Sequence, residues 1–196
     1  EWDVSNVRLM IGMFVNYLFD FSFQNNNPFN QDISNWDVSN VTNMDDMFLF
    51  TDFNQPIGNW DVSNVTSMSQ MFGAANNFNQ DLGNWDVSSV TNMRAMFALT
   101  SFNKDLSNWD VSSVTTMSGM FSDTPINQNL SSWDVINVIR CNGFSSNTPN
   151  WKLPKPNFTS CNPNSIQNFS IGDEQSILKI RIQETPFDED VINSDF

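Results

Sequence analysis

The tripeptide Trp-Asp-Val recurs at Trp2, Trp36, Trp60, Trp85, Trp109 and Trp133, and this repeat constrains the fold more than any other feature of the chain. The last four intervals are 24, 25, 24 and 24 residues, and the first is 34 because Val15 to Gln24 are inserted after Phe14. A unit of about 24 residues cannot bury its own apolar stripe, so the copies must stack. It is also too short for the four-stranded blade of a propeller, despite the Trp-Asp pair.

Counted from each Trp, Val stands at plus two and plus five in all six copies. Met fills plus eight and plus eleven in five copies, followed by Phe at plus twelve, and the sixth copy substitutes Cys141 and Phe144. Upstream, Phe or Ile occupies minus seven and Ile or Leu minus three. Between minus three and plus three, as in Leu106 to Ser112, apolar and polar residues alternate, which predicts a short strand. Between plus six and plus twelve, as in Thr91 to Phe97, the i, i+3, i+4 spacing predicts a short helix with the Thr as N-cap. The expected fold is therefore an α/β repeat solenoid, with one short parallel strand and one short helix per 24–25-residue coil. It should occupy residues 1–148, with a C-terminal cap at 149–170, and with a strand and acidic tail, or the start of a further domain, at 171–196.

The stretch Phe-Asn-Gln-Asp-Ile-Ser-Asn-Trp-Asp-Val-Ser-Asn-Val-Thr-Asn-Met-Asp-Asp-Met-Phe, residues 29 to 48, resembles the bacterial-surface-protein repeat of BspA-like leucine-rich-repeat proteins. The resemblance covers the six copies. It implies a curved leucine-rich-repeat-like solenoid displayed outside cells, on a cell surface or on a virion surface, acting in adhesion or protein contacts. It brings no catalytic residues.

Composition narrows the function further. With 22 acidic and 8 basic side chains the net charge is −14, and there is no basic cluster to hold a nucleic acid. Histidine is absent, which removes the commonest general base and the usual triads, so a non-enzymatic role is expected. No apolar run is long enough to span a bilayer. The partner is then a protein or glycan surface ligand, or copies of the chain itself, and no cofactor is required.

Three sets of polar residues recur. Asn at minus six (Asn30, Asn54, Asn79, Asn103, Asn127) suits a buried column bonding the backbone of the next coil, by analogy with the leucine-rich-repeat ladder, or a surface ligand role. Asp at plus one (Asp3, Asp37, Asp61, Asp86, Asp110, Asp134) either caps the following turn or forms a ladder for Ca²⁺ or a cationic partner. Asn40, Asn64, Asn129, Asn157 and Asn168 open Asn-X-Ser/Thr sequons and are candidate glycan sites. The front face built from minus one, plus one and plus three scarcely varies, which suits structure better than selective recognition.

Cys141 and Cys161 either form a disulfide pinning the cap or leave a buried thiol in the last coil. Trp151 and Phe158 should plug the last coil, and Ser176 to Gln183 alternates as a strand would. Tyr17, Phe19, Phe21 and Phe23 make the insertion either an aromatic contact or a side cover. Glu1 falls inside a repeat, so further repeats or a partner are expected to cover that end.

Overall fold

A computed structural model describes residues 2–15 and 27–165. The aromatic residues of the insertion (Tyr17, Phe19, Phe21, Phe23), the sequon at Asn168 and the expected strand from Ser176 to Gln183 lie outside the described residues.

The copies stack as successive coils, but the expected α/β composition is wrong in both of its elements. Among the described residues there is no helix and no extended strand. Regular pairing consists of isolated parallel bridges, and five of them join the plus-seven positions of consecutive copies: Leu9 to Asn43, then on through Ser67, Asn92, Thr116 and Arg140.

The helix fails for a conformational reason. The plus-ten residue of every copy has a left-handed φ, at Gly12, Asp46, Gln70, Ala95, Gly119 and Gly143, and so does the plus-fourteen residue in Phe50, Ala74, Leu99, Asp123 and Asn147. A right-handed helix cannot contain such residues. The backbone instead alternates between two kinds of bond. Met93, Ala95, Phe97 and Leu99 donate their N–H to Thr116, Ser118, Met120 and Ser122 of the next coil, while the intervening Met96 and Ala98 donate to Met93 and Ala95 in the same coil. The i, i+3, i+4 pattern of apolar residues reflects these three-residue turns, and alternate amides cross to the neighbour.

The strand fails because its polar residues capture the backbone. In coil five, Asp105 accepts the Ser107 N–H and Asp110 accepts the Ser112 N–H, and Trp109 and Val114 close turns onto Leu106 and Val111. Trp and Val point inward and Asp outward because two Asx turns flank them. Over this half of the coil it is largely side chains that reach the neighbour.

The stacking buries one continuous column. Val at plus two and plus five, Met at plus eight and Phe at plus twelve are fully or almost fully buried from the second through the fifth copies, as are the minus-three residues from Ile57 onward. Equivalent rings repeat along it with spacings that depend on position. Phe at plus twelve repeats every 5.5 to 5.7 Å. Phe at minus seven repeats every 6.0 to 6.3 Å, and Trp109 lies 6.4 Å from Trp133. A parallel ladder repeats at about 4.8 Å, so the column curves with the plus-seven ladder on its inner side.

At the C-terminal end, residues 148–161 form the first half of a seventh coil. Trp151 stands at the minus-seven position and is buried, and Phe158 stands where the Trp would be, 4.9 Å from Phe144. The Lys152 and Leu153 N–H groups donate to Asn127 Oδ1, and Leu130 N–H donates to Pro154 O. Cys141 and Cys161, with Cα atoms 5.9 Å apart, are joined by a disulfide. Closing a loop of this length contributes about 3 kcal/mol.

Three substitutions test this packing and backbone. Gly119→Ala is expected to destabilise by about 1 kcal/mol, because φ is positive there; in a helix the same change would stabilise by a similar amount. Trp85→Ala is expected to cost about 3 to 5 kcal/mol, and Trp85→Phe about 1 to 3, because Ile57 O loses its indole donor. Urea denaturation reads all three.

Candidate functional site

The Asp column at plus one is exposed, and each member is committed to its own turn. Asp3, Asp37, Asp61, Asp86 and Asp110 each accept, on Oδ1, both the N–H and the hydroxyl of the Ser two residues on, at 3.0–3.1 Å and 2.6–2.7 Å. Asp134 accepts only an N–H, because Ile136 replaces the Ser. The Ser hydroxyl, and then the Ser N–H, hold the Asp3, Asp37, Asp86 and Asp110 carboxyls below the usual carboxylate range. Neighbouring members push the other way, as Asp3 does to Asp37 and Asp110 to Asp86. The turn bonds thus offset the repulsion of stacked like charges. Among the described residues no three acidic, cysteine or histidine side chains gather where they could hold a metal ion.

The Asn column at minus six is half-buried to exposed rather than buried. Each Asn Oδ1 accepts the N–H of the next member: Asn30 from Asn54, Asn54 from Asn79, Asn79 from Asn103, and Asn103 from Asn127. Gln55, Gln80 and Gln128 reinforce it by donating to the preceding Asn. These residues hold coil to coil.

Sequence reasoning missed a second ladder. The indole N–H groups of Trp60, Trp85, Trp109 and Trp133 donate to the carbonyls of Ile33, Ile57, Leu82 and Leu106, one coil back, at 2.9 to 3.3 Å. The available signal was the strict use of Trp, since a Phe would fill a core as well but carries no donor.

Two sequon asparagines are occupied by the fold. Asn40 and Asn64 donate their side-chain amides to Ser5 O and Ser39 O, both at 2.8 Å, so a glycan on either would break a coil-to-coil bond. Asn129 and Asn157 are exposed, and Asn129 accepts from Ser131 in an Asx turn.

The inner ladder holds the residues that vary. Plus seven and plus nine flank the buried plus-eight Met and read Leu9 and Ile11, Asn43 and Asp45, Ser67 and Ser69, Asn92 and Arg94, Thr116 and Ser118, Arg140 and Asn142; Arg94, Thr116 and Ser118 are themselves buried, and the others are half-buried or exposed. Some are tied locally: Asp45 accepts from Ser67 and Ser69, and Asn142 accepts from Ser118. Arg8, Arg94 and Arg140, the three arginines among the described residues, lie at plus six, plus nine and plus seven. The strip carries a half-buried carboxylate in coil two, a buried guanidinium in coil four and an exposed one in coil six, with no two coils alike.

The family model described as Mycoplasma protein of unknown function, DUF285, matches residues 1–101 and 80–171. The chain belongs to the DUF285 family. No curated protein and no solved structure matches it. For a DUF285 chain the geometry therefore carries the functional argument, and it separates two surfaces: a uniform outer one occupied by its own turns and ladders, and a varied inner one.

The Asx turns predict a pH dependence. The carboxyls of Asp3, Asp32, Asp37, Asp86 and Asp110 sit below the ordinary value of 3.8 in the folded chain, so their stabilisation is complete above the ordinary range and is lost as pH falls through it and below. Melting temperature should fall as pH drops below about 4. Asp110→Asn, which keeps an acceptor but does not titrate, should make that fall shallower.

Proposed function

We propose that this chain is a non-enzymatic contact module, working in adhesion or protein–protein contact outside the reducing cytosol, with the inner ladder strip as its recognition surface. The observation that carries the reading is the contrast between that strip, which changes from coil to coil, and an outer face that repeats the same Asx turns. Selective recognition needs such variation, and a curved stack presents it on its inner side. The lack of histidine supports a non-catalytic role. The disulfide supports an oxidising compartment, and the resemblance to BspA-like surface repeats supports display at a cell or particle surface, toward a protein or glycan ligand.

Surface plasmon resonance against immobilised matrix proteins and mucin tests the proposal. Arg140→Glu should weaken binding about tenfold or more, by removing a charged contact, while Asn84→Lys with Asn108→Lys on the outer face should leave it unchanged. The reverse pattern would refute the assignment.

A second reading, an assembly subunit built from copies of the chain, is favoured by the last coil. The N–H groups of Met117, Gly119, Phe121 and Asp123 all pair with coil six, whereas their equivalents at Cys141, Gly143, Ser145 and Asn147 have no acceptor among the described residues. An open ladder of this kind is a template for another chain. Beside it, Ile136 and Ile139 are 59% and 61% exposed where the second to fifth copies carry Ser and Thr. Sedimentation velocity showing ordered oligomers that Ile139→Thr disperses would bring this reading forward; a monomer at high concentration would end it.

A further inference from the structure

The regular column is interrupted where coil six meets the half-coil. In earlier coils the residues from minus five to minus one run as Gln-Asp-Ile-Ser-Asn or a close variant, and the minus-four side chain makes an Asx turn at Asp32, Asp81, Asp105 and Asn129, Pro56 replacing it in the third copy. After coil six the corresponding stretch is Leu153-Pro-Lys-Pro-Asn157, which makes no such turn. A hollow of about 290 Å³ is left there, lined chiefly by Asp105, Ser107, Gln128, Asn129 and Leu153.

The lining offers mixed polar chemistry. Asp105 uses Oδ1 for the Ser107 N–H, and its Oδ2 has no hydrogen-bond partner among the described residues. Asn129 uses Oδ1 for Ser131, which leaves its amide N–H₂ without a partner among the same residues. Gln128 donates its amide to Asn103, leaving Oε1 in the same condition. Leu153, 43% exposed, adds one apolar wall.

We propose that this hollow binds a single neutral pyranose ring. Adjacent sugar hydroxyls both donate and accept, so they match a lining that offers a carboxylate oxygen, an amide oxygen and an amide N–H₂. The C–H face of the ring packs on Leu153. The volume lies at the lower end for small-molecule pockets, near 300 Å³, which suits one ring rather than a chain of them. A single carboxylate among hydroxyls and amides is poor in charge for a divalent cation. The net charge of −14 disfavours acidic sugars. The site lies on the turn side of the coils, away from the inner strip, so it stands independently of the recognition surface proposed above.

The test is saturation-transfer NMR and calorimetry on the full chain with methyl glycosides of glucose, galactose, mannose and N-acetylglucosamine, and with a glucuronide as the charged control. At least one neutral glycoside should bind, and the glucuronide should bind more weakly. Asp105→Asn should weaken binding about tenfold, since a charge-assisted bond is lost. It should leave the melting temperature unchanged, because Asn129 makes the same turn at the equivalent position. Leu153→Ala should weaken binding as well, and Arg140→Glu should not. Failure of every neutral glycoside to bind, preference for the glucuronide, or binding indifferent to both Asp105→Asn and Leu153→Ala would overturn the assignment.

Discussion

Each coil of this protein satisfies its backbone through its neighbours. From plus eight to plus fourteen, alternate amides cross to the next coil, and the carbonyls that receive them come from the plus-seven, plus-nine, plus-eleven and plus-thirteen residues. Buried backbone groups left unpaired are costly, so no coil in the middle of the stack can form alone. The left-handed residues at plus ten and plus fourteen are what turn alternate peptide planes outward. That requirement sets the rest: the parallel bridges, the register of the core and the direction in which the column bends.

The outer half of each coil solves the same problem with side chains. Asn at minus six, Trp at the reference position, Asn at plus four and Thr at plus six each send a bond to a main-chain group one coil away, as Asn54, Trp85, Asn64 and Thr91 do. Side chains have longer reach than a direct amide-to-carbonyl ladder. The outer spacing is accordingly wider than the inner, and the curvature follows from the division of labour between backbone and side chain. Function divides along the same line. The outer face repeats the same turns and ladders from copy to copy, whereas the inner strip carries different plus-seven and plus-nine side chains in each coil, such as Asp45, Ser69 and Arg140.

Much of this was legible in the sequence and some was not, for identifiable reasons. The period, the stacking and the core positions follow from the recurrence of Trp, Val, Met and Phe. The turn role of Asp was readable as one of two alternatives, because Asp-x-Ser is an Asx-turn signal. The helix was misread because successive three-residue turns place apolar residues at the same spacing as a helix does. The left-handed position was hidden because Asp46, Gln70 and Ala95 occupy it alongside Gly12, Gly119 and Gly143. The strand was misread because alternation in and out arises from two Asx turns as readily as from a pleat. The hollow at Asp105 was invisible, since it exists only where the half-coil from Trp151 departs from the repeat. The inner strip could have been found by asking which positions vary rather than which recur.

The central claim is that the segment from plus six to plus fourteen is bonded across coils and not along a helix. Scalar couplings transmitted through hydrogen bonds, measured by NMR on the labelled chain, test it most directly. The account predicts couplings from Ala95 N to the Ser118 carbonyl carbon and from Phe97 N to that of Met120. A coupling from Phe97 N to the carbonyl carbon of Met93, the i to i−4 bond of an α-helix, would contradict it.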